Sequence, residues 1–267
     1  MGTIQDLFGL QYNPFAINQG GIETKFMSED LRQARLRMKR TAKEGGICLL
    51  TGDPGKGISF TLGCTIPDLE SMGFTVKCMT VNHVSARDFY KSLCKKTDTN
   101  FQGKTRGALI DSICENEWQM KAQGHPLFLV FDKSENMPPD VIRDLHQFIH
   151  NGHPPESLAS IALCGAKEIN SKIRANTTLR SLVCDFYAMS GLSEEETGKY
   201  IRHKLHLAGG GDSIVTDEAV KTLYSYTASG TYNTINNLMR DALYLALQLE
   251  RAQIDPEIIR SSAAHQF

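Results

Sequence analysis

No apolar run in this 267-residue chain approaches the ~20 residues that a helix needs to cross a bilayer, and the N-terminus carries no basic-then-apolar leader. Those absences set the expectation of a soluble, cytoplasmic protein without a membrane partner. An excess of one charge is missing too. Lys and Arg number 29 against 30 Asp and Glu, and a formal charge of −1 argues against nucleic-acid binding through global charge. A local basic patch stays compatible with that balance. The seven cysteines are odd in number, show no C-x-x-C spacing and sit mostly in apolar runs such as "ICLL" and "IALCG". They read as small buried hydrophobes in a reducing compartment, which sets aside a disulfide framework and a zinc site. Repeats and low-complexity tracts are also lacking, so solenoids and long disordered tails are excluded.

What is present is an ordinary globular composition, 41% hydrophobic and 22% charged, with room for one large α/β domain and a small appendage. Residues 1–27 are turn-rich and aromatic-studded ("FGLQYNPF") and read as an N-terminal strap. A helix is expected from a Ser28 cap to about Lys43, closed by Gly45-Gly46. Then come strand-like runs "ICLLTG", "FTVKCMTV", "PLFLVFD", "ASIALCG" and "VCDFYAMS", separated by helical patterns. One of these, "PPDVIRDLHQFIHN", places Val141, Ile142, Leu145, Phe148 and Ile149 on a single face. Such alternation predicts an α/β fold with a parallel sheet covered on both faces. From Gly191 the pattern is helical only, opening with a capping box at Ser193 and Glu196. The expected organisation is therefore a strap (1–27), an α/β core (28–190) and a small helical domain (191–267).

The stretch "TGDPGKGIS", Thr51 to Ser59, carries the chemistry. A phosphate-binding P-loop reads G-x-x-x-x-G-K-[ST], and Gly52, Gly55, Gly57 and Ser59 sit where that pattern wants them. Ile58 occupies the lysine position. A Gly-rich turn between a buried strand and a helix gathers backbone N–H groups and a helix N-terminus at one point, which suits an anion. Three glycines and a serine also match by chance, so the loop alone is weak evidence. "LFLVFD", an apolar strand ending in Asp132, adds the shape of a Walker-B strand that holds Mg²⁺ through water.

Taken together, "YNPF", "GICLLTGDPGKGIS", "PLFLVFD", "IALCGAKEIN", "LRSLV", "GLSEEETGKYIRHKLHLAG" and "GTYNTINNL" occur in the order seen in AAA+ ATPases. Over about residues 6–262 the chain resembles the ExeA/TnsC-like group of bacterial transposition helper proteins. That resemblance implies a P-loop NTPase core with a five-stranded parallel sheet and a helical lid. It implies ATP or ADP with Mg²⁺ bound between core, lid and a neighbouring subunit, and contacts to double-stranded DNA and a transposase. ExeA proteins continue into a membrane span and a wall-binding domain, whereas this sequence stops after the lid, so the transposition branch is expected. The nucleotide site would comprise Gly52, Asp53, Pro54, Gly55, Lys56, Gly57, Ile58, Ser59, Phe60 and Asp132, with Ser59 and Asp132 facing Mg²⁺. Asn13 and Phe15 would wrap the adenine pocket; an N-terminal strap covering apolar core explains them equally.

Departures from the family pattern decide the reading. The P-loop lysine corresponds to Ile58, and the Walker-B acid pair to Asp132-Lys133. The arginine-finger segment keeps Arg180 but has Leu182 in place of its second arginine, and the sensor segment reads Gly230-Thr231-Tyr232-Asn233 without arginine. Phosphoryl transfer is catalysed by positioning and charge stabilisation, which such residues supply. The expectation is a regulatory or scaffolding subunit with weak or no ATP hydrolysis, assembling with itself or related AAA+ subunits. The alternative is an active ATPase using displaced Lys56 or Lys133, although Lys56 points outward in ordinary P-loop geometry. Lys133 pairing with Asp132 or Glu135 is the plainer reading, and Glu135 as a displaced base is the bolder one.

Other features have two readings each. Arg32, Arg35, Lys39 and Lys43 lie at helical spacing and suit DNA phosphates or a solvated helix face. His146 and His150 are four apart, a metal-compatible spacing that an amphipathic helix also explains. His203 and His206 read as surface or packing residues, and Trp118 is expected to pack on the sheet. "LAGGGDS" reads as a flexible connector and helix cap.

Overall fold

The computed structural model describes residues 3–16, 26–101, 103, 105–149 and 159–264. In chain order the elements begin with α1 (Ile4–Phe8), α2 (Glu29–Glu44), β1 (Gly46–Gly52), α3 (Ile58–Ser71) and β2 (Thr75–Thr80). Next come α4 (Ala86–Lys96), α5 (Arg106–Ala122), β3 (Leu127–Asp132), α6 (Pro139–Ile149) and β4 (Ser160–Gly165). They are followed by α7 (Glu168–Arg174), α8 (Thr177–Leu182) and β5 (Val183–Met189), then α9 (Glu194–Leu207), α10 (Asp217–Ser225), α11 (Tyr232–Gln248) and α12 (Pro256–Ala263).

The five strands form one sheet in the order β2-β3-β4-β1-β5, every pair parallel. Strands β3 and β4 are buried on both faces, so their sequences are continuous apolar runs rather than alternating ones. Successive side chains still divide between two cores. Ile47, Leu49, Leu127, Leu129 and Phe131 join Phe89, Leu109, Leu145 and Phe148 on one face. Cys48, Leu50, Phe128 and Val130 join Met38, Leu62 and Leu69 on the other. The chain order reverses around β1, which lies between β4 and β5. In open parallel sheets, ligands sit outside the carboxyl ends of the strands at such a switch point.

Two compact units are present. One comprises Leu31–Pro54 and Ile58–Met189, and holds the sheet with its covering helices. The other comprises Met1–Asp30, Gly55–Gly57 and Ser190–Phe267. Its core is helical, built from Ile201, Leu205, Leu223, Leu238, Met239, Leu243 and Ile259, with Phe8, Leu10 and Phe15 contributed from the N-terminal side. Ser193 and Glu196 close a capping box at α9, and Asp255 accepts the Ile258 N–H at α12.

Several local expectations change. The N-terminal strap contains α1, whose Thr3 and Asp6 form their own capping box. Helices α7 and α8 fill a segment without a strong periodic pattern, and Asn176 caps the second. Trp118 does not pack on the sheet; it is 44% exposed. The inward stripe of α5 is Leu109, Ile110, Ile113, Cys114 and Glu117, which turns the adjacent Trp118 away. In "LAGGGDS" the Gly209 and Gly210 N–H groups are tied to the last turn of α9. Among the described residues no helix is long and apolar enough to cross a membrane.

Candidate functional site

β1 delivers the chain into the glycine loop and α3 takes it up again at Ile58. Gly55 and Gly57 have φ of +83° and +90°, a left-handed backbone that other residues adopt only with strain. Crowding adds to that demand. A Cβ on Gly55 would lie 2.6 Å from Thr231 Cγ2, and one on Gly57 would lie 3.1 Å from the Tyr232 ring. The tip of the loop is anchored by its own groups. Gly55 O accepts the Tyr232 N–H at 3.1 Å, supplying a partner at the start of α11, where Thr231 makes no side-chain cap.

Lys56 does not point outward. It is 4% exposed, and its Nζ donates to the carbonyls of Ala228 and Ser229 at 2.9 and 2.6 Å. Those carbonyls belong to a turn in which Ala228, Ser229 and Gly230 all have positive φ. The strained turn and the buried ammonium fix one another.

Ile58 spends its side chain on the core. It packs against the apolar cluster that includes Leu50, Leu62 and Met189, and its Cδ1 is 3.5 Å from where a Gly52 Cβ would stand. Ser59 and Phe60 are exposed at the first turn of α3. The Ser59 hydroxyl lies near enough to the Asp132 carboxyl to favour its ionised form, so the structure brings these two residues together. Burial pushes the Asp132 carboxyl up; the Lys133 N–H at 3.0 Å, the Lys133 charge and Ser59 act in the opposite sense. Lys133 itself has φ of +55° and an exposed side chain.

Glu135 is occupied elsewhere. Its carboxylate accepts the Ala166 N–H at 2.9 Å and fills the space a Cβ on Gly165 would need. Its carbonyl accepts from Lys172. Lys167, which follows directly, places Nζ 2.8 Å from Asp53 Oδ2 in the glycine loop. Nothing in the spacing of "GAKEIN" announced that contact, because its partner comes from another strand end. Pro54 is exposed. Arg180 is exposed on α8, while Leu182 packs against the core.

Asn13 and Phe15 belong to the helical unit. Phe15 is 2% exposed, its N–H donates to Asn13 Oδ1 at 3.0 Å, and Asn13 Nδ2 is buried without a partner. Lys204 lies over the Phe15 and Tyr200 rings, 5.3 and 5.6 Å from their centroids, and burial brings its pKa down to about 8.

The basic face of α2 is partly spent on structure. Arg35 and Lys39 both pair with Asp68 of α3, at 3.0 Å from Arg35 Nε and 2.8 Å from Lys39 Nζ, while Arg32 and Lys43 are exposed. His146 Nδ1 is 2.7 Å from the Arg143 carbonyl, and His150 lies outside the described residues. Among the described residues no group of three or more His, Cys, Asp or Glu is placed to hold a metal.

The family model described as "AAA domain" matches residues 40–173, half of the chain. General secretion pathway protein A of Aeromonas hydrophila is 25% identical over 245 residues, covering 90% of this chain. The chain spans 44% of that relative's length. Among solved structures, Drosophila ORC bound to DNA is similar with a TM-score of 0.67 at 14% identity, over 97% of this chain and 65% of that one. Cdc6p from Pyrobaculum aerophilum gives 0.65 at 15%, over 93% and 69%. The ORC2 protein of Aeropyrum pernix in its ADP form gives 0.65 at 13%, over 97% and 73%.

Proposed function

The chain belongs to the AAA-domain family, and we propose that it is a nucleotide-binding regulatory or scaffolding subunit that hydrolyses ATP weakly or not at all. The observation that carries this reading is the placement of Ile58, whose side chain packs into the apolar core where the motif calls for a phosphate-reaching ammonium. Two of the groups that would replace it or activate water are engaged in other bonds. Lys56 is committed to two carbonyls and Glu135 to the Ala166 N–H. What remains suits binding better than turnover. A glycine loop opens onto the N-terminus of α3, and the Ser59–Asp132 pair is of the kind that faces Mg²⁺. Bound Mg²⁺ would neutralise phosphate charge. Ser59 and Asp132 would hold it, and Asp132 would have to be ionised to do so.

In this reading the protein works in the cytoplasm by assembling with copies of itself or related AAA+ subunits. Double-stranded DNA and a transposase are the proposed partners, and the similarity to an ORC structure bound to DNA supports the DNA part. Measuring ATP turnover alongside titration with a fluorescent ATP analogue tests the reading. Binding without turnover is expected. Ordinary ATPase rates that vanish in Ser59→Ala or Asp132→Asn would overturn it.

A second reading follows from the relative named for the general secretion pathway: the same silent module would serve a secretion assembly. Salt-dependent binding to duplex DNA, reduced by Arg32→Glu, separates the two.

A further inference from the structure

A phosphate chain at the glycine loop needs a cation that Ile58 does not provide. Lys56 is committed to Ala228 and Ser229. Lys133 supports Asp132 through its backbone and its charge. Lys167 stands differently. β4 runs beside β1 in parallel register, with Thr51 opposite Gly165, so the chain leaving β4 passes next to the chain entering the loop. Glu135 holds that exit through the Ala166 N–H. One residue on, the Lys167 ammonium meets Asp53, the first residue after β1, at 2.8 Å. Both side chains are more than half exposed, at 56% and 55%. A pair this exposed contributes little to stability and opens readily.

We propose that Lys167 is the cation that meets the phosphate chain of a nucleoside triphosphate at this loop, exchanging the Asp53 carboxylate for phosphate oxygens on binding. This rests on the nucleotide reading above. An ammonium on a flexible stem can follow such an exchange, and a polyphosphate is the stronger anion. In the free protein Asp53 keeps Lys167 at the loop and also competes with the ligand for it. The two residues therefore act in opposite directions on affinity.

The test is titration of the full chain with a fluorescent ATP analogue and Mg²⁺. Lys167→Gln is expected to weaken binding about tenfold, and Asp53→Asn to tighten it by a factor of about three. Lys95→Gln, on exposed α4 and the control for general charge, should stay within about twofold. All three side chains are exposed, and circular dichroism checks that each variant folds. Analogue binding that is indifferent to Lys167, or weakened equally by Lys95→Gln, overturns this assignment alone. No binding by the unaltered chain overturns the nucleotide reading and the assignment with it.

Discussion

The ammonium of Lys56 lies 2.6 Å from the carbonyl oxygen of Ser229, and the neighbouring Ala228 carbonyl accepts from it as well. A loop lysine that sequence position offers as a phosphate ligand is thus a structural donor. Replacing it with methionine keeps most of the volume and leaves two carbonyls without their charged partner. The expected cost is about 2 kcal/mol of unfolding free energy, the typical scale for hydrogen bonds to a charged group. Urea denaturation measures it. An unchanged midpoint would show that the contact holds nothing.

The contrast between loop and lysine marks what the sequence made legible. Sheet and helices could be read because β3 and β4, covered on both faces, leave unbroken apolar runs, and because α6 carries a full apolar stripe. Short elements such as α7 and α8 could not, since seven and six residues are too few for an apolar period to stand out. The glycines of the loop announce its backbone. The fate of Lys56 depends on carbonyls 172 and 173 positions away, and that of Lys167 on Asp53, 114 positions away. No local pattern encodes such partners. Trp118 failed for a simpler reason: its neighbour Glu117 took the inward position.

Restoring the missing lysine separates binding from turnover. Ile58→Lys can keep its methylene stem over the cluster that Ile58 now covers, so stability should change little. Affinity for the ATP analogue should tighten by about tenfold, the value of one charge-assisted phosphate contact. Turnover should stay absent, because the residue after Asp132 is still a lysine and Glu135 remains bound to Ala166. A steady-state phosphate-release assay on Ile58→Lys, Lys133→Glu and the double variant decides this. Turnover by Ile58→Lys alone would mean that a working base is already in place.

Magnesium dependence should carry the signature of Asp132. Burial raises its pKa, so the carboxyl takes up a proton at higher pH than an ordinary aspartate. The ionised form is the one that attracts Mg²⁺. The gain in nucleotide affinity on adding Mg²⁺ should therefore be greatest at the high end of the pH range and fall as pH drops through that raised pKa. Asp132→Asn should lose the gain at every pH while retaining Mg²⁺-independent binding to the loop. Titrations with and without Mg²⁺ across pH 4.5–8 provide the comparison, and a Mg²⁺ effect that survives in the variant would remove Asp132 from the site.

Glu117 makes the sharpest stability prediction. It lies on the inward stripe of α5, fully buried, with neither carboxyl oxygen hydrogen-bonded, and burial pushes its pKa well above the usual carboxylate value. In the unfolded chain the same group ionises near pH 4.3. Below that pH both states carry the proton and no penalty arises. Above it the folded state alone retains the proton, and unfolding gains about 1.4 kcal/mol per pH unit until the folded pKa is passed. Glu117→Met removes the titration while keeping a similar volume. Its melting temperature should differ from that of the parent by a nearly constant small amount around pH 4, then pull steadily ahead as pH rises toward 7. Parallel curves for the two proteins over that range would show that Glu117 finds a partner that relieves its charge.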